Sequence, residues 1–233
     1  MNNKELEVVA KNIKVETEGI DSIHETGKLT LSEDDIAESY PTWYGREEEL
    51  NPYGYRSDNF TGGSGFVFLG CSLTMGAYLE KEETWPWIVG KHFGVKVWNL
   101  AQSGRGDDDN FINAHNWIPK LKPQVVCMLL PPPGRYAVFS ETEDKMEFLL
   151  WGLPKKPKFP WLYDEKYLFV SQLRNVLAIK SICFENNIPF IVESSSDLLS
   201  IEWEGVAGDK THPGKRWHKK ISLIYIEQIE KCI

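Results

Sequence analysis

Gly65-Phe66-Val67-Phe68-Leu69-Gly70-Cys71-Ser72-Leu73-Thr74 is the stretch on which the fold of this chain turns. Phe66 to Leu69 is short and wholly apolar, the pattern of a strand buried on both faces of a parallel sheet, and it stops at Gly70. In open parallel sheets ligands bind outside the carboxyl ends of the strands. A serine where such a strand turns into a helical segment exposes its hydroxyl there, and nearby amides favour an alkoxide or oxyanion. Glycine and serine are also ordinary strand-to-helix punctuation, so both readings of Ser72 stand on this segment alone.

Downstream, strands and helices alternate. Thr84-Trp85-Pro86 starts a helix, with Thr84 as N-cap and Pro86 in the first turn, and Gly94 stops it. Val95 to Leu100 reads as a second strand, and Asp107-Asp108-Asp109 charges the start of a helix that ends in Lys120 and Lys122. Val125 to Leu130 is a third strand, cut off by Pro131-Pro132-Pro133-Gly134. Residues 136–165 lack a period and read as an inserted loop region. Tyr167 to Asn186 is helical, with Leu173, Val176, Leu177, Ile179, Ile182 and Cys183 as its core-facing stripe. Phe190 to Val192 is a fourth strand, and Lys215 to Lys231 a closing helix. This order implies an α/β three-layer sandwich with a central parallel sheet. Residues 1–60, acidic and rich in Pro, Tyr and Trp, read as an extension packed on the core domain of residues 61–233.

Bulk composition narrows the function classes. A chain of 233 residues, 42% hydrophobic and 12% aromatic, can bury one large core. Its net charge of −8 argues against nucleic acid or anionic lipid as partners. There is no signal-like apolar segment and no run long enough to span a bilayer, so a soluble, cytoplasmic protein is expected. Cys71, Cys127, Cys183 and Cys232 form no C-x-x-C pair, which speaks against a structural zinc or dithiol centre. His24, His92, His115 and His218 show no metal-ligand spacing either, and structural or surface roles are expected for them.

Two further segments carry chemistry. In Asp209-Lys210-Thr211-His212-Pro213 the three-residue step can bring a carboxylate to the imidazole Nδ1, leaving Nε2 to accept a serine proton. The same pair could instead cap the final helix. Asn99-Leu100-Ala101-Gln102-Ser103-Gly104 ends a strand in a glycine whose amide could face an oxyanion, or in a simple glycine turn.

Gly-x-Ser-Leu after the first strand, a glycine after the second and Asp-x-x-His before the last helix resemble, in this order, the SGNH (GDSL-type) hydrolases. The similarity spans residues 65–231. It implies a flavodoxin-like sandwich that hydrolyses carboxylic esters through an acyl-enzyme, with no metal or organic cofactor and with small-molecule or carbohydrate esters as substrates. Ser72, Asp209 and His212 then match the catalytic positions and Gly104 the oxyanion glycine. Asn51-Pro52-Tyr53-Gly54-Tyr55-Arg56 looks like a preamble seen before the serine block in some relatives. Two departures stand out: Cys71 replaces the usual aspartate, and Pro131-Pro132-Pro133-Gly134-Arg135 replaces Gly-x-Asn-Asp after the third strand. The second removes an oxyanion donor. Arg135, close to the same chain position, is the candidate to supply that contact or to bind an anionic part of the substrate; the alternative is an ordinary surface arginine after a proline-rich turn.

Overall fold

The computed structural model describes residues 49–61, 63–133, 135–140, 145–149, 165–195, 198, 207 and 212–233, with the backbone alone at 136–140, 145–149 and 165–166. In chain order these form β1 (Gly65–Leu69), α1 (Ser72–Met75), α2 (Trp85–Phe93), β2 (Lys96–Asn99), α3 (Asp107–Leu121), β3 (Val125–Leu130), β4 (Tyr136–Ser140), β5 (Lys145–Leu149), α4 (Glu165–Glu185), β6 (Phe190–Ser194) and α5 (Lys215–Ile229). Four strands make a parallel sheet in the order β2-β1-β3-β6. Within the stretch read as an insertion, β4 and β5 pair as an antiparallel hairpin.

The unbroken apolar run of β1 follows from burial on both faces. Phe66 and Phe68 point to one side, where Trp85 and Val89 of α2 and Trp217, Ile221 and Tyr225 of α5 cover them. Val67 and Leu69 point to the other, against Ala114 and Ile118 of α3 and Ile179 and Cys183 of α4. Alternation along the strand therefore builds two apolar layers, and the sandwich has three. The third strand matches its expected bounds, while the second is shorter, Lys96–Asn99 rather than Val95 to Leu100.

The stripe expected on α4 needs correction. Ile179 and Cys183 are buried, but Leu173 and Leu177 are 45% and 55% exposed. The inward face is continued instead by Ser171 and Asn175, and the Asn175 side-chain amide donates to the Asp108 carboxylate at 2.7 Å. Polar pairing with the acidic first turn of α3 sets the rotation of α4, and the two leucines are left outside.

Residues 49–60 pack on the core. Asp58 closes the free edge of β2, its N–H donating to the Val97 carbonyl at 2.9 Å and its carboxylate accepting the Val97 N–H at 2.8 Å. Ser57 Oγ accepts the Asn99 N–H at 3.0 Å. Covering an edge strand in this way blocks pairing with another chain. Residues 1–48 lie outside the described residues. Among those described, no helix is long and apolar enough to cross a membrane.

Candidate active site

The strand order reverses direction at β1, which has β2 on one side and β3 on the other. Chains leaving the two neighbouring strands depart in opposite directions at such a point, opening a crevice at the carboxyl edge. Three chain segments meet around it: the turn after β1, the loop after β2 and the run after β3.

The serine turn is built tightly. Gly70 has φ +151°, and a Cβ there would lie 2.1 Å from Thr74 Oγ1 and 2.9 Å from the Leu129 carbonyl, so no larger residue fits. Cys71 is extended and buried, and Ser72 opens α1 with its carbonyl accepting the N–H of Gly76 at 2.9 Å. With only four residues, α1 has little macrodipole, so any help to an oxyanion comes from individual amides.

Two asparagines cross-link this turn to the loop after β2. Asn110 Oδ1 accepts the Gly70 N–H at 2.7 Å while its Nδ2 donates to the Gly106 carbonyl at 2.8 Å. Asn99 Nδ2 donates to the Thr74 carbonyl at 3.3 Å, and its Oδ1 accepts the Ala101 N–H at 3.1 Å. Both asparagines are fully buried, where unmet hydrogen bonds would be costly, so each fixes one backbone segment against the other. Gly104 lies in this second loop with φ +74°.

Arg135 lies against the same loop. A Cβ on Gly106 would come within 2.3 Å of the Arg135 carbonyl, and Arg135 Nη1 donates to the Arg105 carbonyl at 3.3 Å. Beneath it, Asp107 Oδ2 accepts from Gln172 Nε2 at 2.8 Å, whereas its Oδ1 has no hydrogen-bond partner among the described residues. Burial pushes the Asp107 carboxyl up to about 7, with Gln172 and Arg135 opposing the rise and Asp108 and Asp109 adding to it. The Asp109 carboxyl is likewise raised by burial, to about 6, against the pull of Arg105.

Because the folded pKa of Asp107 lies above its ordinary value, the folded state holds this proton longer than the unfolded chain does. Stability from this group is present at pH 4 and is lost as pH rises through about 7. Asp107→Asn keeps the shape without the charge. It is therefore expected to gain stability relative to wild type by about 2 kcal/mol or more on going from pH 4 to pH 8. Urea unfolding at the two pH values checks this, and an equal effect at both would contradict it.

His212 sits just before α5, and its ring centroid is 6.0 Å from that of Tyr78, six residues beyond Ser72. The fold thus brings the histidine ring near Tyr78, although the two are far apart in sequence. Asp209 lies outside the described residues. His218, expected to be structural or on the surface, is buried in α5, where its Nδ1 accepts the Trp85 N–H at 3.2 Å. Burial, with the Arg56 guanidinium and His212 nearby, holds it down to about 3, so the ring is neutral and can accept. It thereby meets one of the unpaired donors at the start of α2, a role that the expected N-cap, Thr84, does not fill by its side chain.

No family model matches this chain, and no curated protein matches it. Several solved structures do. One is a carbohydrate esterase whose active site displays divergent catalytic and non-catalytic binding functions, 15% identical with a TM-score of 0.47, the match covering 72% of this chain and 65% of that one. Another is the psychrotrophic esterase EstA from Pseudoalteromonas sp., 15% identical with a TM-score of 0.42, covering 72% of this chain and 98% of the esterase. A third is a GDSL-like lipase from Bacteroides thetaiotaomicron VPI-5482, 17% identical with a TM-score of 0.37, covering 72% and 89% of the two chains. The likeness is one of fold.

Sequence reasoning missed the residues that frame the serine turn. Asn99 and Asn110 carry no local signal for this role, since the bond by which each holds the serine turn reaches backbone distant in the chain. Arg56 did have one, in the preamble that ends on it. Its guanidinium is 5% exposed and donates to the carbonyls of Met75, Gly76 and Leu79 at 3.3, 2.7 and 2.5 Å.

Proposed function

We propose that the chain is a serine hydrolase that cleaves a carboxylic ester, of a small molecule or a carbohydrate, through an acyl-enzyme. The observation that carries this reading is the serine turn itself. Ser72 follows the central strand at the crevice, on a backbone anchored by Asn99, Asn110 and Arg56, and the His212 ring centroid lies 6.0 Å from that of Tyr78, six residues beyond Ser72. In this scheme His212 takes the hydroxyl proton as Ser72 Oγ attacks the ester carbonyl, and Asp209 orients the imidazole. The backbone amides of Ser72 and Gly104 donate to the oxyanion. Collapse expels the alcohol with the proton from His212, and water repeats the sequence to release the acid. The scheme uses no metal or organic cofactor.

A serine-directed phosphonate tests the reading directly. Wild-type protein is expected to gain one adduct, located on Ser72, and to hydrolyse short-chain aryl esters. Absence of both would favour a second reading, a binding module that kept the fold, for which Pro131 to Arg135 in place of Gly-x-Asn-Asp is the supporting observation.

Arg135 is proposed as the third contact to the oxyanion, or as the group that binds an anionic part of the substrate. Its position on the Gly104–Gly106 loop supports this. Losing one such donor commonly costs about a hundredfold in kcat. Arg135→Ala is expected to lower kcat/KM at least about tenfold without unfolding the protein. A folded and fully active alanine variant would remove Arg135 from the site.

A further inference from the structure

Arg56 lies outside the scheme above, yet its guanidinium is engaged with one carboxylate and three carbonyls beside the serine turn. Its Nε donates to Glu49 Oε2 at 2.6 Å, and Nη2 makes an ion pair with the same oxygen at 2.6 Å. Nη1 serves the Met75 and Gly76 carbonyls and Nη2 the Leu79 carbonyl. The fork is thus spread over one carboxylate and three backbone carbonyls, a pattern that the three donors of a lysine ammonium cannot reproduce from a single point. The carbonyls it holds lie at and just beyond the end of α1, and they flank Tyr78.

Among the described residues, Tyr78 is one of three non-glycine residues with positive φ, at +61°. Such a conformation is costly for a bulky residue and persists only where the surroundings impose it. The ring so placed is the one that lies 6.0 Å from His212. One cation therefore holds the segment that begins at Ser72 and ends at the aromatic residue beside the base.

We propose that Arg56 is the positioning residue of this site, setting Ser72 and His212 in register by pinning the Met75, Gly76 and Leu79 carbonyls, with Glu49 as its anchor. This rests on the reading of Ser72 as nucleophile. It also assigns a role to residues 49–56, which brace the reacting turn, while Ser57 and Asp58 cover the sheet edge.

Arg56→Lys keeps the charge and loses the fork, so it is the variant to measure. Hydrogen exchange reads the turn without reference to activity, because the amides of Thr74, Met75, Gly76 and Ala77 all bond to the Cys71 or Ser72 carbonyl. Those amides are expected to exchange at least about tenfold faster relative to Val67 and Val126 in the core strands. In parallel, kcat on an aryl ester and the rate of phosphonate labelling at Ser72 should fall at least about thirtyfold, with KM changed by less than about threefold. Unchanged relative exchange overturns the proposal. So does faster exchange with kcat held within about threefold of wild type in an active enzyme. If wild type neither labels nor hydrolyses, the esterase reading falls separately, and accelerated exchange alone then supports the clamp. Should Arg56→Lys fail to fold, Glu49→Gln keeps the guanidinium while loosening its anchor. A smaller change in the same direction is expected, and none would overturn the proposal.

Discussion

Ser72→Ala is expected to abolish phosphonate labelling and to lower kcat/KM for a short-chain aryl ester by about ten-thousandfold or more. Removal of the nucleophile from a Ser-His-Asp arrangement eliminates the covalent route, and what survives comes from binding and oxyanion contacts alone. The substitution should be structurally mild. Ser72 is buried, but among the described residues its side-chain hydroxyl anchors none of the bonds that build the turn, which use its carbonyl and the side chains of Asn99, Asn110 and Arg56. Folding and urea midpoint should therefore stay close to wild type while turnover disappears. Cys71 supplies an internal control, since a thiol nucleophile one residue away would leave Ser72→Ala active. An alanine variant that hydrolyses at the wild-type rate would end the serine mechanism.

His212→Ala is expected to cost a similar factor, about ten-thousandfold, because a serine hydroxyl without its base is a weak nucleophile near neutral pH. The wild-type pH profile carries the same information. If a neutral imidazole is the base, kcat/KM rises with pH through its ionisation and then levels off. Asp209→Asn should follow with a loss of about the same order, through the wrong tautomer rather than lost shape. The contrast lies with His218. Its ring is neutral and already engaged with the Trp85 amide, so His218→Gln is expected to lower stability while leaving the shape of the pH profile unaltered. Reversal of that pattern, with His218 shaping the profile and His212 silent, would reassign the base.

The layers and their strands were legible from local pattern, because a strand covered on both faces writes its burial into every residue. Phe66 to Leu69 and Val125 to Leu130 show this, and the structure places both at the centre of the sheet. The N-cap of α2 was read at the right residue, but the group that bonds its first amide comes from α5, 133 residues further on. On α4, periodicity placed Leu173 and Leu177 inward, yet hydrogen bonding from Asn175 to Asp108 and from Gln172 to Asp107 rotated the helix otherwise. Hydrophobic period alone ranks apolar positions and is blind to which polar groups find partners across a helix pair.

What the linear chain determined by itself was the α/β class, the parallel sense of the sheet and the candidacy of Ser72, Gly104, Arg135, Asp209 and His212. The class is written in apolar runs and turn residues; the candidacy of the site residues came from short motifs and their resemblance to a known family, and that of Arg135 from its chain position after the third strand. Tertiary structure alone decided how the serine turn is held. Arg56, Asn99 and Asn110 each reach backbone groups of the serine turn between 19 and 40 residues away, and backbone groups are the same in every residue, so no residue type marks them as targets. The raised carboxyl of Asp107 and the neutral ring of His218 belong to the same class. Both arise from desolvation, a property of everything packed around a group rather than of the group or its neighbours in the chain.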